Sequence, residues 1–172
     1  IWWRNDGQNF SAATALPADL DDATAVHAID PDRDGRPDLF AVDPTRPDEL
    51  VRIACVPGSG PIAATTVTGT GLRTLGSLAV LDAERDGDAD LALAGTDAQG
   101  NARATLLRDD GGSTSTMDLG PYETLAAVDV ERDGAVDLVL AAPAGTCRLT
   151  IGRNTDADGL RLDDWRRHVL DD

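Results

Sequence analysis

The chain contains no lysine: all 15 of its basic residues are arginine, set against 31 acidic residues for a net charge of -16. A protein needs a cationic footprint to release counterions from nucleic acid or to settle on an anionic membrane, so neither is expected as a partner. Aromatic residues make up 3% of the sequence, and there are two cysteines and two histidines. That is too little thiolate and imidazole for the usual zinc or copper ligand sets. No apolar run approaches the ~20 residues that a membrane-spanning helix requires. The longest are short pieces such as LFAV at 39–42 and LVLAA at 138–142. A soluble chain with no membrane insertion is expected, and its start at Ile1 rather than Met reads as a processed or excised segment.

Catalytic signatures are also missing. There is no Gly-x-Ser-x-Gly elbow and no Cys–His pairing with supporting context. Residues 71–77, GLRTLGS, have the spacing of a phosphate loop but no lysine after the second glycine and no helix beyond, so they read as a turn between strands. Cys55 in ACVPG and Cys147 in GTCRL read as two free thiols. His27 in AVHAI reads as a strand histidine and His168 in DWRRH as an exposed terminal one. Every dense pair of acids that could serve glycosidic hydrolysis already belongs to an acidic loop. No catalytic residue is assigned, and the chain is not expected to be an enzyme.

What is present is a repeat. The stretch Asp30-Pro-Asp32-Arg-Asp34-Gly35-Arg36-Pro-Asp38-Leu39 returns as Asp82-Ala-Glu84-Arg-Asp86-Gly87-Asp88-Ala-Asp90-Leu91 and as Asp129-Val-Glu131-Arg-Asp133-Gly134-Ala135-Val-Asp137-Leu138. The three starts are 52 and 47 residues apart. Each copy lies between two apolar stretches too short for helices and bounded by Gly, Pro and Asp, so each is predicted to be a loop flanked by strands. Between the loops recurs a strand, a turn rich in Gly, Asn or Asp, and another strand, at residues 1–16, 50–67, 104–119 and 148–165. These are hairpin signatures.

A period near 50 residues with four strands per unit predicts an all-β chain, a β-propeller of four-stranded blades with about three and a half blades present. The boundaries fall at a half blade 1–20 and blades 21–70, 71–120 and 121–172, within one segment that is expected to be part of a larger propeller. Unpaired strand edges and apolar faces at both ends of such a stack predict flanking blades or self-association.

Like charges at the density of the acidic loops repel unless a cation sits among them. In D-x-D-x-D-G-x-x-D, side chains at positions one, three, five and nine and the backbone carbonyl at position seven can converge on one ion, with the glycine at six permitting the turn. Hard oxygen ligands in this number suit Ca²⁺, and three copies predict about three ions. The ligands would be Asp30, Asp32, Asp34, Asp38 and the Arg36 carbonyl; Asp82, Glu84, Asp86, Asp90 and the Asp88 carbonyl; and Asp129, Glu131, Asp133, Asp137 and the Ala135 carbonyl. An EF-hand would need a bidentate acid at position twelve and a helix beyond. Those positions hold Ala41, Leu93 and Leu140, followed by strand-like sequence. Glu84 and Glu131 are one methylene longer than Asp, which predicts weaker binding there than at the first loop.

The acidic loops resemble the FG-GAP and VCBS repeats of the integrin alpha-chain propeller and of many secreted bacterial proteins, over most of the chain. Leu75-Gly76-Ser77 stands where that family has Phe-Gly, and Ala141-Ala142-Pro143 where it has Gly-Ala-Pro. The resemblance implies that each loop joins the first two strands of a blade and holds a structural calcium ion. It also implies a non-catalytic, extracellular or cell-surface module for interaction or adhesion, with a protein or glycan ligand. The alternative is a carbohydrate-binding propeller or an accessory domain of a polysaccharide-degrading enzyme, with Trp2, Trp3 and Trp165 stacking on sugar.

Overall fold

A computed structural model describes residues 7–10, 15–16, 20, 22–23, 25–56, 60–109, 114–130, 132–143 and 149–152. These contain eleven strands and no helix: β1 (Val26–Ile29), β2 (Asp38–Val42), β3 (Glu49–Val56), β4 (Gly60–Thr68), β5 (Thr74–Leu81), β6 (Asp90–Thr96), β7 (Ala102–Asp109), β8 (Thr114–Gly120), β9 (Thr124–Val128), β10 (Asp137–Ala141) and β11 (Leu149–Gly152). They form three antiparallel sheets, each a meander in which consecutive strands pair: β1-β2-β3-β4, β5-β6-β7-β8 and β9-β10-β11. The expected hairpins at 50–67 and 104–119 are β3–β4 and β7–β8. Of those expected at 1–16 and 148–165, most residues lie outside the described ones.

Every acidic loop joins the first two strands of its sheet, and the second strand begins on the loop's ninth residue: Asp38, Asp90 or Asp137. The sequence after that aspartate is an unbroken apolar run because both faces of the strand are covered. In β2, Phe40, Ala41 and Val42 are all buried, as are Ala92, Leu93 and Ala94 in β6. Phe40, Val42 and Leu50 of the first sheet pack on Leu75, Leu93 and Leu107 of the second. The opposite face of the second sheet, through Ala79, Leu81, Ala92, Ala94 and Leu106, packs on Leu125, Leu138 and Leu140 of the third. The alanines on that face have little bulk and let the sheets approach closely. Truncating one of the buried leucines costs ~2–5 kcal/mol, the transfer term plus the cavity it leaves.

The first strands of the sheets lie side by side, β5 between β1 and β9. At the joint with the third sheet the Ser77 hydroxyl oxygen accepts a hydrogen bond from the Leu125 N–H at 2.8 Å. The outer faces of the first and third sheets differ among the described residues, and the half blade expected at the N-terminal end lies mostly outside them. On the first sheet, Ala41, Val51 and Ile53 point away from the second sheet yet are 1–2% exposed. On the third, Ala126 is exposed and Val128 is 44% exposed.

Candidate metal centre

The three acidic loops share one backbone conformation. The arginine at position four is left-handed in each, with φ of 54° at Arg33, 59° at Arg85 and 63° at Arg132. The glycine at position six follows at 84°, 97° and 90°. A non-glycine residue pays ~1–2 kcal/mol for that region, so its use three times at one position requires local bonds to hold it. Those bonds are found in every loop. The first aspartate accepts from the N–H of position five through one oxygen (Asp30 from Asp34 at 3.1 Å, Asp82 from Asp86 at 3.0 Å, Asp129 from Asp133 at 3.1 Å). Its other oxygen accepts from the glycine N–H at 2.8, 3.0 and 3.0 Å. The fifth-position aspartate accepts from the N–H of position seven, Arg36, Asp88 or Ala135, at 2.9, 2.9 and 2.8 Å.

The ninth aspartate is buried in all three loops, and what it bonds to depends on position two. Asp90 accepts from the Ala83 N–H at 2.7 Å and Asp137 from the Val130 N–H at 2.9 Å, which ties each loop's start to its end. In the first loop position two is Pro31, which has no N–H to give. Asp38 turns instead to β3, accepting from Arg52 Nε at 2.7 Å and from the Cys55 N–H at 2.9 Å. The pairing register slips at Ala54/Cys55, and the side chain of Asp38 satisfies the amide at that irregularity.

Position three separates the loops. Oxygens of Asp30, Asp32 and Asp34 lie within 4.8 Å of one another. A calcium ion with oxygen ligands at about 2.3–2.6 Å spans that separation, so the first loop fits the ion. Asp32 is 55% exposed and lies 3.0 Å from Arg52 Nη2. In the second loop Asp82, Glu84 and Asp86 form no such group; among the described residues the first loop's is the only cluster of this kind. Glu84 is 17% exposed, with Oε1 2.6 Å from Arg108 Nε in a close but poorly aligned ion pair. Burial foremost, then the neighbouring Asp90 carboxylate, push the Glu84 carboxyl up to about 7 against the pull of Arg108. Glu131 lies outside the described residues, so the third loop is seen only at Asp129, Asp133, the Ala135 backbone and Asp137. The second and third loops touch through Arg85 Nη2 and Asp133 Oδ2, 3.8 Å apart. Both groups there are well exposed, and such a pair contributes little.

Arg52 and Arg108, both on third strands, were not singled out by sequence reasoning. The signal was a cation set among apolar residues in each hairpin strand, LVRIACV and ARATLLRD, the second of which carries Arg103 as well. Both also line a cavity of about 110 Å³ between the first and second sheets, with Pro31, Phe40, Val67 and Leu107.

Elsewhere, Cys55 is a free, half-buried thiol, its pKa pushed up by burial and by the Asp38 charge. His27 is half-buried on β1 opposite Phe40. Of GLRTLGS, residues 71–73 lie in the β4–β5 connection as the turn reading expects, whereas 74–77 are already strand β5. Cys147, Trp2, Trp3, Trp165 and His168 lie outside the described residues. No family model matches the chain, and neither the curated proteins nor the solved structures searched contain a match.

Proposed function

We propose that this chain is a calcium-stabilised, non-catalytic binding module of the FG-GAP/VCBS type, its sheets being consecutive blades of a β-propeller. The observation that carries this reading is the threefold recurrence of one loop. The same left-handed arginine and glycine and the same three hydrogen bonds recur between the first two strands of three successive meanders. The side-by-side arrangement of β1, β5 and β9 is what first strands around a common axis would give. The calcium site with most support is Asp30, Asp32 and Asp34.

In this role the ion is structural. It neutralises three carboxylates that the loop holds close together, and it binds the folded chain in preference to the unfolded one. Loops of this class in extracellular modules bind calcium at ~10⁻⁴ to 10⁻³ M, which fits an extracellular setting better than cytosolic sensing. The ligand-bearing surface would be the remaining loops, facing a protein or glycan partner.

Thermal unfolding with calcium and with EDTA tests the reading. A Kd of ~10⁻⁴ M at ~1 mM calcium stabilises the fold by roughly 1.4 kcal/mol per site. For a chain of this size that raises Tm by ~3–6 °C per ion. Superimposable melting curves in the two buffers would remove calcium from the account.

A further inference from the structure

Resting on the calcium reading of the first loop, we infer that the second acidic loop takes no metal ion and that the guanidinium of Arg108 serves there as the resident cation. The two loops have the same backbone and the same hydrogen bonds at positions one, five, six and seven, so the difference lies in the side chain at position three. Asp32 is short and 55% exposed. It also meets a third-strand guanidinium, Arg52 at 3.0 Å, and Asp34 meets Arg36 at 2.9 Å, but both carboxylates are exposed and stay clustered with Asp30, so an ion can reach them without uncovering anything. Glu84 is a methylene longer, 17% exposed, and both of its carboxylate oxygens are closed off from solvent. Its extra reach takes the carboxylate away from Asp82 and Asp86 and onto Arg108 of β7. For Glu84 to join Asp82 and Asp86 around an ion, it would have to leave a covered position and abandon Arg108 half-buried without its partner. Taking a half-buried charge from its partner is costly, because the partner's desolvation is no longer compensated.

The consequence is a division of labour within the repeat. Calcium acts at the first sheet. The second sheet, which packs on both of its neighbours, keeps its loop closed with its own arginine whatever the calcium level.

The test uses the full chain and two readouts. In calcium titrations by calorimetry, Asp34→Ala removes one equivalent of bound ion and Asp86→Ala removes none. Loss of an equivalent in Asp86→Ala overturns the inference. In thermal melts at about pH 9, Arg108→Met lowers Tm by ~5 °C or more, to the same extent in EDTA and in calcium. Adding Glu84→Gln to Arg108→Met recovers most of the loss by removing the stranded charge. An Arg108→Met variant that melts like the parent, or one that calcium restores, overturns the inference. If Arg108→Met alone does not fold, the paired variant with Glu84→Gln supplies the readout: it folds if Arg108 answers Glu84, and stays unfolded if Arg108 acts otherwise. Absence of any calcium binding by the parent chain would defeat the proposed function alone, since the melts in EDTA still decide the role of Arg108.

Discussion

A methyl group at Gly95 should damage this fold more than any backbone strain at that residue would suggest. Gly95 lies on β6 opposite Leu75, where the β5–β6 register slips between Leu75 and Ser77 and leaves Gly76 as the extra residue. A Cβ at Gly95 would clash with the Thr74 carbonyl oxygen and stand 2.8 Å from its carbon and 3.3 Å from the Gly76 nitrogen. All three are backbone atoms, so no side chain can swing aside. Thr74 is itself pinned, its hydroxyl 2.7 Å from that of Thr96 and accepting the Thr96 N–H at 3.2 Å. Gly76 has little room to move outward, because its own Cβ position is 3.1 Å from the Glu123 carbonyl oxygen of the neighbouring connection. Overpacking of this kind costs ~2–4 kcal/mol, or a fall of ~5–15 °C in Tm. Differential scanning calorimetry of Gly95→Ala beside Gly100→Ala makes the comparison clean. Gly100 has φ of 83° and nothing within 4 Å, so only the left-handed penalty of ~1–2 kcal/mol applies to it. A Gly95→Ala variant that melts within ~2 °C of the parent, or above Gly100→Ala, would refute the reasoning. Calcium affinity should be unchanged in both, since neither touches the first loop.

Replacing Arg33, Arg85 or Arg132 by glycine should stabilise each loop by up to ~1 kcal/mol, because the left-handed penalty disappears; denaturant midpoints would check this. Asp137→Ala should cost ~1–3 kcal/mol by leaving the Val130 N–H without its acceptor, and hydrogen exchange should show that amide losing protection. The pH dependence has a defined sign. A Glu84 carboxyl raised from 4.5 to about 7 gives stability that is fully present below about pH 4.5 and is lost as pH rises to about 7, so Glu84→Gln should flatten the decline in Tm between about pH 4.5 and 7. Asp43 behaves oppositely. The Thr45 hydroxyl and N–H hold its carboxyl below 3.8, so its contribution is present above that value and disappears in acid, and Asp43→Asn should soften the acid limb of the same profile.

The strand order was legible in the sequence to a large extent, and the reason is physical. The repeat placed each acidic loop between two short apolar runs, and those runs are the first and second strands of a sheet. The alternation of hairpins and loops likewise anticipated the meanders. The equivalence of the loops as metal sites was not legible. D-x-E-x-D-G and D-x-D-x-D-G differ by a methylene, and what that methylene reaches is decided by an arginine 24 residues later in β7. Nor did the pattern show that Pro31 would redirect Asp38 to Arg52 and Cys55. A missing N–H leaves no trace in an acidic spacing, and its effect appears only once β3 lies alongside.

The same loop closure bears on how the chain ages chemically. Each loop contains an Asp-Gly pair, the dipeptide in which the glycine nitrogen most readily attacks the preceding carboxyl to form a succinimide and then isoaspartate. Here the Gly35, Gly87 and Gly134 nitrogens each donate to the first-position carboxylate. The carboxylates of Asp34, Asp86 and Asp133 are drawn the other way, onto the N–H of the seventh residue. Nucleophile and electrophile are thus held apart by bonds that must break before the ring can close. Isoaspartate content at each pair, followed by peptide mapping during storage, would therefore record how often that particular loop opens.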